Sequence, residues 1–120
     1  MSRNIVHTGN APKAIGPYSQ AVAAGGMVFL SGQVGLDPAT GELVKGGVEA
    51  EARRAFDNLR AVAEAAGPGL AAAVRVTIYL TDLGQFATAN RIMQEYFREP
   101  YPARVTIGVA ALPRGAAIEV

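Results

Sequence analysis

Residues 48–80 read VEAEARRAFDNLRAVAEAAGPGLAAAVRVTIYL, and the change of period inside this stretch decides the fold class. Val48, Ala52, Ala55, Phe56, Leu59, Val62, Ala63 and Ala66 recur at steps of three and four, which gathers them on one side of an α-helix. The opposite side carries Glu49, Arg53, Asp57, Arg60 and Glu64 at spacings of three and four, and Gly67-Pro68-Gly69 stops the helix. Val74 to Leu80 then reads as a strand, rich in β-branched residues.

Upstream of the helix the pattern is that of β structure. Strands are predicted over 5–8, 19–24 and 27–34, with Gly25-Gly26 as a tight hairpin turn between the last two. Residues 36–43 form a surface loop built on Asp-Pro and Thr-Gly turn signals. Downstream, Asp82 followed by Gln85 predicts a capping box that opens a second helix with Phe86, Ala89, Met93 and Phe97 as its apolar stripe, ended by Pro100 and Pro102. Residues 103–109 and 116–120 are the last two strands, joined by a loop around Leu112-Pro113-Arg114-Gly115. The order β-β-β-α-β-α-β-β predicts an α+β sandwich, two helices covering one face of a mixed sheet, in a single domain spanning 1–120.

Strand alternation assigns the faces. Ala103, Val105, Ile107 and Val109 are expected to meet the helices, which leaves Arg104, Thr106 and Gly108 on the uncovered face. Glu119, between Ile118 and Val120, is expected to share it. An arginine and a glutamate on a sheet face without a helix above it call for a wet site or a second copy of the chain.

Composition removes several function classes. The chain has 120 residues, half of them apolar, so it carries material for one packed core. The eleven basic residues are scattered and the formal charge is +1, which argues against nucleic acid as a partner. Cysteine is absent and there is one histidine, so no disulfide, thiolate nucleophile or zinc centre is expected. No stretch is apolar for long enough to span a bilayer and the N-terminal residues lack a leader pattern, so a cytoplasmic protein without membrane contact is expected. His7 reads as a strand-surface residue, Asn90 and Arg91 as structural or solvated, and Asp82 as a helix cap.

Gly16-Pro-Tyr-Ser-Gln20, Val28-Phe-Leu-Ser-Gly-Gln33, Asn58-Leu-Arg-Ala-Val62, Val76-Thr-Ile-Tyr-Leu-Thr-Asp82, Pro102-Ala-Arg104 and Val109-Ala-Ala-Leu-Pro-Arg-Gly115 through Ile118-Glu119 together resemble the RidA, or YjgF-like, family over nearly the whole chain. The resemblance implies a chorismate-mutase-like fold and a homotrimeric barrel with sites between subunits. It also implies cofactor-free, metal-free hydrolysis of 2-imino or enamine acids, such as 2-iminobutanoate and 2-iminopropanoate, to 2-oxo acids and ammonia. On the same basis Arg104 is the carboxylate-binding arginine, Glu119 the water-activating glutamate and Tyr18 the site tyrosine, with Ser31 and Gly32 as strand-end contacts and Thr106 as a hydroxyl beside the substrate. Where the family commonly has Ser, Ala or Thr and then Cys or Thr after Pro-Ala-Arg, this chain has Val105 and Thr106.

Read without the resemblance, each residue has a plainer role. Arg104 then pairs with a carboxylate across a subunit interface, Glu119 faces solvent, Tyr18 packs half-buried, and Ser31-Gly32 is a strand bulge. Two other functions follow from the same family likeness: a non-catalytic trimer that binds small carboxylates, and a ribonuclease or translation inhibitor, which would require a basic groove. A chorismate mutase would need more cations than Arg104 to hold a dicarboxylate.

Overall fold

In the computed structural model, which describes residues 2–120, the expected first helix spans Gly47–Ala66 (α1). Its apolar side is buried as the periodicity requires, with Ala52, Ala55 and Phe56 fully enclosed. Gly67, at φ 142°, ends it by donating its N–H to the carbonyls of Ala63 and Glu64.

The strands are β1 (Asn4–Val6), β2 (Ala21–Ala24), β3 (Met27–Leu30), β4 (Arg75–Leu80), β5 (Ala103–Gly108) and β6 (Ile118–Glu119). β1, β2 and β3 form one antiparallel sheet. The hairpin between β2 and β3 turns on Gly25 and Gly26, whose φ values of 59° and 78° are the left-handed pair that such a two-residue turn demands. The second sheet has the order β5-β4-β6: β4 is parallel to β5 and antiparallel to β6. The parallel pair needs a crossover, which the second helix, Phe86–Met93 (α2), supplies.

The predicted element order is therefore observed, but the single mixed sheet is two three-stranded sheets. The extended run expected over 27–34 changes partner partway along. Ser31 N still donates to Gln20 O at 3.0 Å, whereas Gln33 and Val120 exchange both backbone bonds, at 2.8 and 3.0 Å. Val34 bridges Glu119 in the same antiparallel sense. One extended segment thus stitches the two sheets together.

α2 also begins and ends differently from the expectation. Asp82 caps a single 3₁₀ turn, Leu83–Gln85, by accepting from Gly84 N at 2.8 Å, while the Gln85 carboxamide accepts from Thr88 instead of reaching back to Asp82. The chain leaves α2 at Met93 through a tightened turn, well before Pro100. Phe97 is still buried, as expected of the stripe, but Phe86 is exposed and Ile92 takes the fully buried place. Ala89, Ile92 and Met93 join α1 residues and Val76, Ile78, Leu80 and Ile118 in the main core.

Two polar residues of α1 lie inside. The Asn58 carboxamide donates to Val34 O at 3.3 Å and Leu36 O at 2.9 Å, and the Glu51 carboxylate accepts from Ala117 N at 2.7 Å. They tie the stitching segment and the entry to β6 onto the helix. Asn58→Ala leaves the Leu36 carbonyl without this donor, while Val34 O keeps the Leu36 N–H, and is expected to cost about 1–3 kcal/mol in chemical denaturation; a loss below a few tenths would show that water replaces the carboxamide.

Candidate functional site

The parallel register pairs Val76 with Arg104, Ile78 with Thr106 and Leu80 with Gly108. Since Val76, Ile78 and Leu80 are buried under the helices, Arg104, Thr106 and Gly108 face the helix side and not the open one. Val105 and Ile107 point to the open face, Ile107 with 42% of its surface exposed. This reverses the expected assignment. β5 is an edge strand, and α2 covers its Arg104 end with side chains suited to a cation instead of an apolar layer. The Arg104 guanidinium lies 5.2 Å from the centre of the Phe86 ring, donates from Nη1 to Asn90 Oδ1 and approaches Met93 Sδ at 4.0 Å. Asn90 is therefore the partner of Arg104. Thr106 follows on the same side, and its Oγ1 is buried without a hydrogen-bond partner.

Glu119 pairs with Tyr79, which alternates with Ile78 and Leu80, so Glu119 does lie on the open face. Arg104 and Glu119 accordingly stand on opposite sides of one sheet, with β4 between their strands. No salt bridge joins either of them to another group among the described residues.

Glu119 opens into a cavity of about 400 Å³ whose wall also includes Tyr18, Ser31, Gly32, Lys13 and Arg114. Four of the six residues singled out from the sequence are thus brought together in one protomer, and Arg104 and Thr106 are not among them. Glu119 rests against Gly32: a Cβ on Gly32 would stand 2.5 Å from Glu119 Oε2, and the carboxylate would have to move aside for it. Ser31 Oγ donates to Ser19 O at 2.6 Å, which fixes this wall against the segment bearing Tyr18. Tyr18 N donates to Gly16 O at 2.8 Å in a tight turn that leaves the ring half exposed. Burial alone raises the Glu119 pKa above the ordinary carboxylate value of 4.5.

Lys13 and Arg114 were not singled out from the sequence. Arg114 stands in the quoted Leu-Pro-Arg-Gly loop, but its backbone, the one non-glycine residue at positive φ (63°) among the described residues, has no signature in residue type. A larger and more open cleft of about 630 Å³ lies along α1 beside Thr8 and Asn10. Its two arginines are already engaged, Arg60 with Asp57 and Arg54 with Asn58, so it offers less chemistry than the Glu119 cavity. Among the described residues there is no cluster of side chains able to hold a metal ion, and no helix is long and apolar enough to cross a membrane.

Residues 8–120 match the family model described as Endoribonuclease L-PSP. Protein DfrA of Myxococcus xanthus is 54% identical, the alignment covering all of this chain and 93% of that one. The human protein named 2-iminobutanoate/2-iminopropanoate deaminase is 45% identical over 98% of this chain and 86% of its own. The crystal structure of RidA from an Antarctic Psychrobacter superposes with a TM-score of 0.93 at 46% identity, over 97% of this chain and 94% of that one. The α+β fold with its two helices and two sheets is that of the Psychrobacter protein, and the chain belongs to the RidA, or YjgF-like, family.

Proposed function

We propose that this chain is a cytoplasmic homotrimer that hydrolyses 2-imino acids and their enamine tautomers, 2-iminobutanoate and 2-iminopropanoate among them, to 2-oxo acids and ammonia without a cofactor, at sites between neighbouring copies. The carrying observation is Glu119: a half-buried carboxylate with a raised pKa and no ion-pair partner among the described residues, pressed against a glycine on the wall of a cavity. The name of the human relative supports the reaction.

In this reading water is held against Glu119 and attacks the C=N carbon. Glu119 takes a proton from that water and passes it to nitrogen, which gives a carbinolamine; it then takes the hydroxyl proton and passes it to the amino nitrogen as the C–N bond breaks, so the electron pair leaves on ammonia and the carbonyl closes. The substrate carboxylate needs a fork of donors. Among the described residues only Nη1 of Arg104 has a hydrogen-bond partner, so the edge formed by Nε and Nη2 is open to a bidentate contact. Arg104 sits on the opposite side of the sheet from its own Glu119 and on an edge strand, which favours delivery to the cavity of the next copy. The open sheet faces favour the same assembly, since Ile5, Met27, Phe29, Val105 and Ile107 are exposed there. The ribonuclease reading gains no support from charge: Arg53, Arg60 and Arg91 are paired with carboxylates on or beside the helices.

Light scattering at micromolar concentration is expected to return three times the protomer mass, and a monomer would remove the interfacial site. In a coupled assay that follows 2-iminobutanoate loss, Arg104→Ala is expected to abolish turnover with the trimer intact. Arg104→Lys should restore little, because an ammonium cannot reproduce the fork; near-normal turnover in the lysine variant places the carboxylate elsewhere. Glu119→Gln should lower turnover about a hundredfold or more while binding of a 2-oxo acid survives. A chain that only binds would show a basal rate near that of the uncatalysed reaction and no effect of this substitution.

Glu119 also predicts a stability profile. Its native pKa lies above the unfolded value near 4.5, so the native state holds this proton more tightly. That contribution is complete below the unfolded value and is lost as pH rises through the native one. Thermal melting across this range should therefore show a decline that Glu119→Gln lacks; parallel profiles would mean that the carboxylate is not buried in solution.

A further inference from the structure

We propose that the Glu119 cavity selects 2-imino acids that carry a second carboxylate, with Lys13 and Arg114 forming the subsite for that group. The inference rests on the hydrolytic reading for its substrate class. Its independent basis is the surplus of cations. Hydrolysis of a monocarboxylic imine needs one cation for the anion, a task given to Arg104, yet the cavity wall of a single copy already carries Lys13 and Arg114 besides the one carboxylate, Glu119. Neither Lys13 nor Arg114 forms a salt bridge among the described residues.

Arg114 is moreover held there at a conformational cost. Its left-handed backbone at φ 63° is followed by Gly115 at φ 70°, a pair that glycine would occupy without strain at both positions. The flanks of the loop are fixed: Ala116 is buried with Val34 and Leu36, and Leu112 packs against the same group. A long cation in a strained turn between two anchored flanks, on a cavity wall, is an arrangement kept for what it holds. A second carboxylate is the complementary group, and the two cations together supply charge and donors for it. The reaction stays balanced as before: water enters, ammonia leaves, and the product is a 2-oxo dicarboxylic acid.

Calorimetry with stable product analogues reads the selectivity without turnover. At low ionic strength 2-oxoglutarate is expected to bind about tenfold or more tightly than 2-oxobutanoate, and added KCl should narrow the gap. Arg114→Gly, which relaxes the turn and should keep or raise the melting temperature, and Lys13→Gln should each reduce the preference, and the double variant should remove it. Equal affinities in the unsubstituted protein, or a preference that persists in the folded double variant, would overturn the proposal. If 2-iminobutanoate is hydrolysed while both oxo acids bind equally, the selectivity fails and the hydrolytic reading stands. If the preference and its loss on substitution are observed with no hydrolysis of either imine class, the subsite stands and the hydrolytic reading fails.

Discussion

The exchange of two backbone hydrogen bonds between Gln33 and Val120 is the constraint on which the fold and the cavity both depend. Neither sheet contains this pair, yet it is what joins them, since the segment after β3 abandons β2 at Gly32 and takes β6 as its new neighbour. It also sets the register of β6. With Ile118 opposite Leu80 and Glu119 opposite Tyr79, the aliphatic side chain enters the core and the carboxylate goes to the open face. A slip by one residue would drive Glu119 into the apolar interior and expose Ile118, at a cost far above that of any single surface contact. Gly32 is the corresponding concession in the facing segment, where any side chain would occupy the space of the Glu119 carboxylate.

α1 enforces this register from behind. Gly35 approaches the helix so closely that a Cβ would lie 2.8 Å from the backbone of Glu51, and Asn58 caps the neighbouring carbonyls. Buried polar groups of this kind contribute specificity more than raw stability, because their bonds are satisfied in one arrangement only. The outer side of α1 works differently. Arg53 bonds both Glu49 and Glu95, and Arg91 bonds Glu49, holding the two helices in an exposed network whose solvent screening leaves each pair of small weight. Tyr96 secures the inner margin of that network by donating to Asp57, and burial together with this carboxylate pushes its hydroxyl pKa up to about 12.

The element order was legible because period alone separates the helix at 48–66 from the strand that follows, and because Gly25-Gly26 and Gly67-Pro68-Gly69 punctuate the chain where φ must turn positive. The two-sheet arrangement was not legible, since Ser31-Gly32, which interrupts the apolar run after Leu30, reads as readily as a local bulge in one strand as it does as a change of partner. The side taken by β5 was read in reverse for a related reason. Alternation says which residues share a face and leaves open which face is covered, and here Phe86, Asn90 and Met93 make the helix side hospitable to Arg104. Glu51 and Asn58 were hidden among the helix's polar residues because their carbonyl and amide partners come from segments far away in sequence. Of the cavity, the side chains known from family likeness were recoverable, whereas Lys13 and Arg114 depend on loop geometry that residue type does not encode.

The reversal at β5 changes what Arg104 implies about assembly. On the open face, beside Glu119, it would have made one copy of the chain sufficient for a carboxylate clamp and a base. On the helix side, Arg104 and Glu119 are kept apart by β4 and by the sheet itself, and rotating a side chain does not carry it through a hydrogen-bonded ladder. The geometry within one copy therefore supplies half of the proposed site twice, once as a free guanidinium edge on an edge strand and once as a base in a cavity. A cyclic assembly resolves this economically, because a single head-to-tail contact repeated around an axis places each free edge beside the next cavity and covers the exposed isoleucine, valine and phenylalanine side chains in the same step. In such an assembly the edge strand is not a liability awaiting a cap. It would be the element through which one copy completes another.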